Sequence, residues 1–171
     1  HLHSYIQDMK TLVLIRHAKT EPFRSADSDY HRALTQVGLE DALCTGRVLQ
    51  YSHLFPDQLL CSSATRTRQT AAQIGTALNL EDGLIHYSDA LYHATAEMLS
   101  SWVESTEDPI QCLFIIGHNN GISEYARSLF PALTYDLKPG AVLALQSDAL
   151  DWYSFSEANK ALRLFFNPRK S

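Results

Sequence analysis

Residues 11–17, Thr-Leu-Val-Leu-Ile-Arg-His, are the stretch that decides the fold. An unbroken β-branched and apolar run of this length is typical of a strand buried on both faces of a parallel sheet. The polar residues Arg16 and His17 follow at the carboxyl end of that strand, which is the edge where ligands of α/β sheets bind. We therefore expect Arg16 and His17 to face a binding site.

Two further apolar runs end in the same way. Cys112 to Ile116 is closed by Gly117 and His118, and Gln58 to Cys61 is followed by a helix start near Arg66. Because parallel strands present their carboxyl ends at one edge of the sheet, we expect His118 and Arg66 to lie near Arg16 and His17.

Helical patterns separate these strands. Apolar residues at helical spacing predict helices after Thr35 up to about Tyr51, from about Thr67 to Leu78, from Thr95 through Val103, and over 122–130. We expect Thr35 to cap the first helix and Ser62, Ser63 or Thr65 to cap the second. Shorter runs at 84–87, 141–145 and 162–166 indicate edge strands. Alternation of strands and helices predicts an α/β fold of three layers, with a mostly parallel sheet covered by helices on both faces.

Composition favours one soluble globular domain. The 171 residues are 45% apolar and 19% charged, with a formal net charge of −5. The chain has no long basic run, so we expect no nucleic-acid partner. Its apolar runs are too short for a membrane span and its three cysteines are scattered, which favours a cytoplasmic protein without disulfides. We expect residues 1–8 to be a cloning leftover and residues 9–171 to be the domain.

The four polar residues at the sheet edge can perform phosphoryl transfer. A neutral imidazole attacks phosphorus without a metal, which makes His17 the candidate nucleophile. The phosphoryl oxygens need fixed cations, and Arg16 and Arg66 supply planar, permanently charged donors. His118, when protonated, would donate to the same oxygens. The predicted site therefore needs neither a metal nor another cofactor.

These residues resemble the conserved blocks of the histidine phosphatase superfamily, which includes phosphoglycerate mutases and acid phosphatases. The resemblance runs from about Lys10 to Arg169 and implies a phosphoglycerate mutase-like fold, with His17 as the nucleophile and with Arg16, Arg66 and His118 around the phosphoryl group. Other blocks are most similar to SixA-type phosphohistidine phosphatases, whose substrate would be a phosphohistidine in a signalling or carrier protein. The blocks are Leu-Ile-Arg16-His17-Ala18, Ser62-x-x-x-Arg66-x-x-Gln69-Thr70 and Ile-Gly117-His118-Asn119, and for the SixA type Arg32-Ala-Leu34-Thr35-x-x-Gly38-x-x-Asp41-Ala42, Ala90-Leu91-Tyr92 and Asn167-Pro168-Arg169-Lys170.

The sequence departs from the superfamily at one position. Larger members use an acidic residue to protonate the leaving oxygen, and His93 stands near the aligned position, with Asp89 and Glu97 close by. A phosphoramidate imidazole can leave already protonated and so dispenses with a strong acid, which favours a phosphohistidine substrate. The general acid, whether His93, Asp89, Glu97 or none, stays open.

Several side chains complete the predicted site. We expect Lys19, Ser62 and Asn119 to contact the substrate, Arg32 to form a structural ion pair, and Tyr92 to belong to the core.

Two other functions stay open: a small-molecule phosphomonoester phosphatase of the same superfamily, and a non-catalytic phosphoprotein-binding domain. The sequence does not decide the oligomeric state.

Overall fold

A computed structural model describes residues 9–169 of the chain; the expected cloning leftover, residues 1–8, lies outside the described residues. Its strands are Lys10–Arg16 (β1), Gln58–Ser62 (β2), Ile85–Ser88 (β3), Cys112–Gly117 (β4), Val142–Ser147 (β5) and Lys160–Phe166 (β6). Its α-helices are Gln36–Tyr51 (α1), Thr65–Leu78 (α2), Ala96–Glu104 (α3) and Gly121–Leu129 (α4).

The strands form one sheet in the order β3-β2-β4-β1-β5-β6. The four strands β3, β2, β4 and β1 are parallel, whereas β5 pairs antiparallel with β1 and β6 pairs antiparallel with β5. The predicted mostly parallel α/β sheet is therefore confirmed. Among residues 9–169, no helix is both long and apolar enough to cross a membrane.

The central position of β1 explains its unbroken apolar run. Leu12 and Leu14 belong to the core cluster that contains residues of α3 and α4, whereas Val13 and Ile15 belong to the cluster that contains residues of α2. Successive strand residues point to opposite faces, so a strand covered on both sides cannot alternate with polar residues. Both layers of helices thus depend on this strand.

The helix caps agree with the prediction in part. Thr35 caps α1, since its hydroxyl accepts a hydrogen bond from the backbone N–H of Gly38 at 2.9 Å. The helix predicted from about Thr67 is present as α2 and begins two residues earlier, at Thr65, but its predicted hydroxyl cap is wrong, because the helix follows Ala64 and has no side-chain cap. The hydroxyl of Ser62 lies instead 2.7 Å from His118.

Candidate active site

The carboxyl ends of β1 and β4 bring two histidines together. Arg16 pairs with Gly117 in register, and the backbone N–H of His17 donates to the Gly117 carbonyl at 3.1 Å. Since His17 and His118 directly follow these paired strands, their rings lie side by side with centroids 5.3 Å apart. Arg66 joins them from the first turn of α2 and is 6% exposed.

His17 is held as a neutral base. Its Nδ1 lies 2.8 Å from the Ala18 carbonyl, which can only accept, so Nδ1 carries the hydrogen and Nε2 keeps its lone pair. Burial is the main cause that lowers the pKa of His17 to about 3. The hydrogen bond to Ala18 acts in the opposite direction, whereas His118, Arg66 and Arg16 add to the lowering. A neutral imidazole with a free Nε2 can act as a nucleophile at neutral pH.

His118 is also neutral, which changes the role expected for it. Burial first and then the charge of Arg66 lower the pKa of His118 to about 3, so it is not protonated in the free protein at neutral pH. The Ser62 hydroxyl accepts weakly from the backbone N–H of Ala64 at 3.4 Å, and it can donate its own hydrogen to Nε2 of His118, which lies 2.7 Å away. In that arrangement Nδ1 carries a hydrogen, and His118 donates as a neutral group.

Each arginine is anchored at one end and free at another. Arg16 donates from Nη1 to the Leu137 carbonyl at 2.8 Å, and Arg66 donates from Nη1 and Nη2 to Asp29. The Nε atoms of both arginines, and Nδ1 of His118, are buried and have no hydrogen-bond partner within residues 9–169. Buried donors without partners are costly, so a cluster of them indicates a place for an anion.

The sequence prediction missed Asp29 as a site residue. It lies in a single 3₁₀ turn, Asp29–His31, and its carboxylate accepts from Arg66, Arg32 and Tyr92. The ion pair predicted for Arg32 is thus present, with Asp29 as its partner at 2.9 Å. Only the spacing of Asp29 three residues before Arg32 hinted at this contact.

Tyr92 lies at the site, so its interpretation as a core residue is wrong. It is half-buried, and its ring is 5.4 Å from that of His118 in an edge-on arrangement. The guanidinium of Arg66 lies 5.7 Å from the centre of the same ring. Its neighbour Leu91 is the residue that packs into the core.

The three predicted substrate-binding residues occupy different places. Lys19 is exposed and lines a cavity of about 230 Å³ with Lys138 and two prolines. Ser62 is fully buried behind His118, so the structure gives it a contact with that histidine instead of free access to substrate. Asn119 donates to Asp136 at 3.1 Å at the rim.

A second cavity, of about 240 Å³, opens beside His118. His93 and Glu124 both line it, and Glu124 was not among the predicted candidates. Glu97 is exposed and is not part of this lining. Asp89 accepts from Ser63 and Tyr30, and these hydrogen bonds, the one from Ser63 first, lower the pKa of its carboxyl. A carboxyl of lowered pKa is a poor acid at neutral pH.

Known proteins resemble the chain in sequence and fold. The family model of the histidine phosphatase superfamily (branch 1) matches residues 12–92. An uncharacterized protein of Mycobacterium tuberculosis is 30% identical over 112 residues, which are 66% of this chain and 67% of that protein. Solved structures described as phosphohistidine phosphatase SixA are similar over nearly the whole chain. That of Nakamurella multipartitia is 26% identical, covers 94% of this chain and 96% of its own, and has a TM-score of 0.79. That of Agrobacterium tumefaciens is 25% identical, covers 93% and 98%, and also has a TM-score of 0.79.

Proposed function

Since this chain belongs to the histidine phosphatase superfamily and is of the SixA type within it, we propose that it is a phosphatase that works through a covalent phosphohistidine on His17. We further propose that its preferred substrate is phosphohistidine in another protein. The observation that carries the mechanism is the neutral imidazole of His17, whose Nε2 is left free by the bond from Nδ1 to Ala18.

The reaction takes two displacements at phosphorus. In the first, the Nε2 lone pair bonds to phosphorus while the bond to the leaving nitrogen breaks, and that nitrogen keeps the electron pair. In the second, a water oxygen bonds to phosphorus and the bond to Nε2 breaks, which restores the free imidazole. Because the other ring nitrogen of the substrate imidazole already carries a hydrogen, the departed nitrogen keeps its lone pair, and both water protons end on the phosphate or in solvent.

The unpaired donors give the transferred group its charge partners. Nε of Arg16, Nε of Arg66 and Nδ1 of His118 are buried without partners in the described part of the chain, and with the hydrogen of His118 on Nδ1 all three are donors. Preorganised donors of this kind stabilise the charge that develops on the equatorial oxygens. The two arginines supply the positive charge, and on this ground we propose that turnover needs no metal.

Two features support phosphohistidine as the substrate. An imidazole leaves readily, so it does not require a strong acid, and the nearby carboxylate of Asp89 is engaged in hydrogen bonds. The similarity to the two proteins described as SixA phosphohistidine phosphatases adds to this.

One observation favours a second candidate, a phosphomonoester phosphatase. Glu124 lines the cavity beside His118, and its carboxyl could protonate an alkoxide leaving group there. A general acid of this kind serves esters and adds little for a phosphoramidate. The two candidates therefore differ in how much they need Glu124.

A substrate panel on wild type and Glu124→Gln separates the candidates. We expect wild type to hydrolyse a phosphohistidine peptide faster than an aryl phosphate, and an aryl phosphate faster than an alkyl phosphomonoester. Glu124→Gln should leave phosphohistidine turnover unchanged. Glu97→Gln is the matched control, because Glu97 is an exposed glutamate that does not line this cavity.

Three outcomes would contradict the proposal in different ways. A wild-type preference for alkyl esters that Glu124→Gln abolishes would establish the second candidate. Hydrolysis of phosphohistidine by a His17→Ala variant at the wild-type rate would remove the covalent mechanism. Binding of the phosphopeptide without turnover of any substrate would indicate a non-catalytic phosphoprotein-binding domain.

A further inference from the structure

The Asp29 carboxylate is the centre of a hydrogen-bond cluster that the two-step reaction does not use. One carboxylate oxygen accepts from Arg32 at 2.9 Å, and the other accepts from Arg66 at 3.0 Å and from the Tyr92 hydroxyl. The Asp29 backbone carbonyl accepts from Arg66 as well, at 2.7 Å. Asp29 thus holds Arg66 at two points, one charged and one neutral.

This double contact fixes the orientation of the Arg66 guanidinium. The group has five N–H bonds in one plane, and Asp29 takes one from Nη1 and one from Nη2. The edge that contains Nε stays free, and Nε is the buried atom without a partner among the described residues. Tyr92, which donates to the same carboxylate, also lies 5.7 Å from the guanidinium.

Asp29 is held independently of Arg66. Arg32 connects Asp29 to the Thr20 hydroxyl at 2.9 Å, and the Leu34 N–H donates to the Gln69 side chain at 2.7 Å, so the loop is tied to α2. Although burial acts to raise the pKa of Asp29, the bond from Tyr92 and the charge and bonds of Arg66 lower it to about 2. The carboxylate therefore remains charged at neutral pH in a fixed place.

We infer that Asp29 is a positioning residue, which orients Arg66 so that the Nε edge of the guanidinium faces the phosphoryl group. The inference rests on the proposed function, in which Arg66 binds that group. In the alternative role Asp29 would compete with the substrate, because its carboxylate would bind Arg66 until a phosphoryl group displaced it. The neutral contact with the backbone carbonyl and the free Nε edge favour positioning, because neither requires Arg66 to leave Asp29 when substrate binds.

The two roles predict opposite effects of Asp29→Asn. Positioning predicts that kcat falls about 10- to 100-fold, the scale for losing a partner that orients a reacting or binding group. It also predicts an inhibition constant for inorganic phosphate about three- to tenfold weaker, the scale of one hydrogen bond. The inhibition constant for inorganic phosphate does not depend on the fraction of protein that is folded, so a purely structural defect would leave it unchanged. A competitor predicts tighter phosphate binding and undiminished turnover.

The test is a double-mutant cycle with Arg66→Ala. If Asp29 acts through Arg66, Asp29→Asn should change kcat and the phosphate constant by less than about twofold in the Arg66→Ala background. Asp27→Asn is the matched control, since Asp27 is an aspartate of the same loop that is 82% exposed and pairs with His31. It should behave as wild type.

The readout is chosen so that substrate preference does not enter. The substrate is p-nitrophenyl phosphate, whose turnover requires the site but not a preference for phosphohistidine. If wild type hydrolyses no phosphate compound, the proposed function fails. The same double-mutant cycle is then measured as the affinity for inorganic phosphate, by calorimetry. Wild-type or greater turnover by Asp29→Asn, tighter phosphate binding, or the same loss with and without Arg66 would overturn the inference. Tyr92→Phe, which removes a donor to the same carboxylate oxygen, provides a second variant if Asp29→Asn does not fold.

Discussion

Replacement of His118 by glutamine should make the protein more resistant to acid. Burial and the charge of Arg66 lower the pKa of His118 from 6.5 to about 3. Between these two values the unfolded chain binds a proton at this residue and the folded chain does not. Stability must therefore fall as the pH falls from 6.5 toward 3, whereas above 6.5 both states are neutral and His118 contributes nothing.

The magnitude follows from this difference. A shift of one pKa unit corresponds to about 1.4 kcal/mol. At about pH 5, which is about 1.5 pH units below 6.5, protonation of the unfolded chain therefore lowers the free energy of unfolding by about 2 kcal/mol. This figure depends on the pKa in the unfolded chain and hardly changes as long as the folded value stays below about 4. His17 adds a similar loss, and because burial is the main cause of its lowered pKa, His118→Gln leaves this loss nearly unchanged and it cancels in the comparison.

The assay is urea unfolding of wild type and His118→Gln at about pH 8 and about pH 5. The variant should lose about 2 kcal/mol less free energy of unfolding between the two conditions than wild type. His86→Gln, which removes an exposed histidine from β3, serves as the control and should lose as much as wild type. Equal losses in wild type and His118→Gln would refute the conclusion that the fold keeps His118 neutral.

Four further predictions concern the site and its support. Arg66→Ala should lower kcat/KM by about 10²- to 10³-fold, the scale for one preorganised donor, and a loss below twofold would show that Arg66 does not act on the phosphoryl group. EDTA treatment should leave turnover unchanged, and recovery of a lost activity by added zinc or magnesium would contradict this. Gly121→Ala should destabilise the protein by about 1–3 kcal/mol or more in urea unfolding, because a Cβ there would lie 2.0 Å from the Ala94 carbonyl. Gly75→Ala, whose Cβ would come no closer than 3.8 Å to a neighbour, should instead stabilise α2 by about 0.5–1 kcal/mol.

The central sheet was predictable because its signal is local. β1 and β4 are covered on both faces, so each is an unbroken apolar run that ends in a polar pair or triplet. Parallel pairing then places the strand ends together, and this brought His17 and His118 to one edge without any knowledge of distances. The hydroxyl cap predicted for α2 was wrong because Ala64 leads into the helix through its backbone conformation alone, without a capping side chain.

Contacts between residues far apart along the chain could not be predicted from the sequence. Asp29 and Arg66 are 37 positions apart, and Tyr92 reaches Asp29 from 63 positions away, so no spacing links them. The neutral state of His118 was also missed, because it depends on how deeply the ring is buried. Burial of a polar side chain cannot be inferred from its position after a strand.

Trapping of the phosphorylated enzyme tests whether His17 forms a covalent intermediate. The protein is mixed with a phosphohistidine peptide, quenched in alkali within its first turnovers, and mapped by peptide mass spectrometry. A covalent mechanism on His17 predicts one added phosphoryl group on the peptide that contains His17, none in His17→Ala, and decay of that group no slower than turnover. Turnover without any phosphorylated His17, or a phosphoryl group on another residue of the active enzyme, would contradict it.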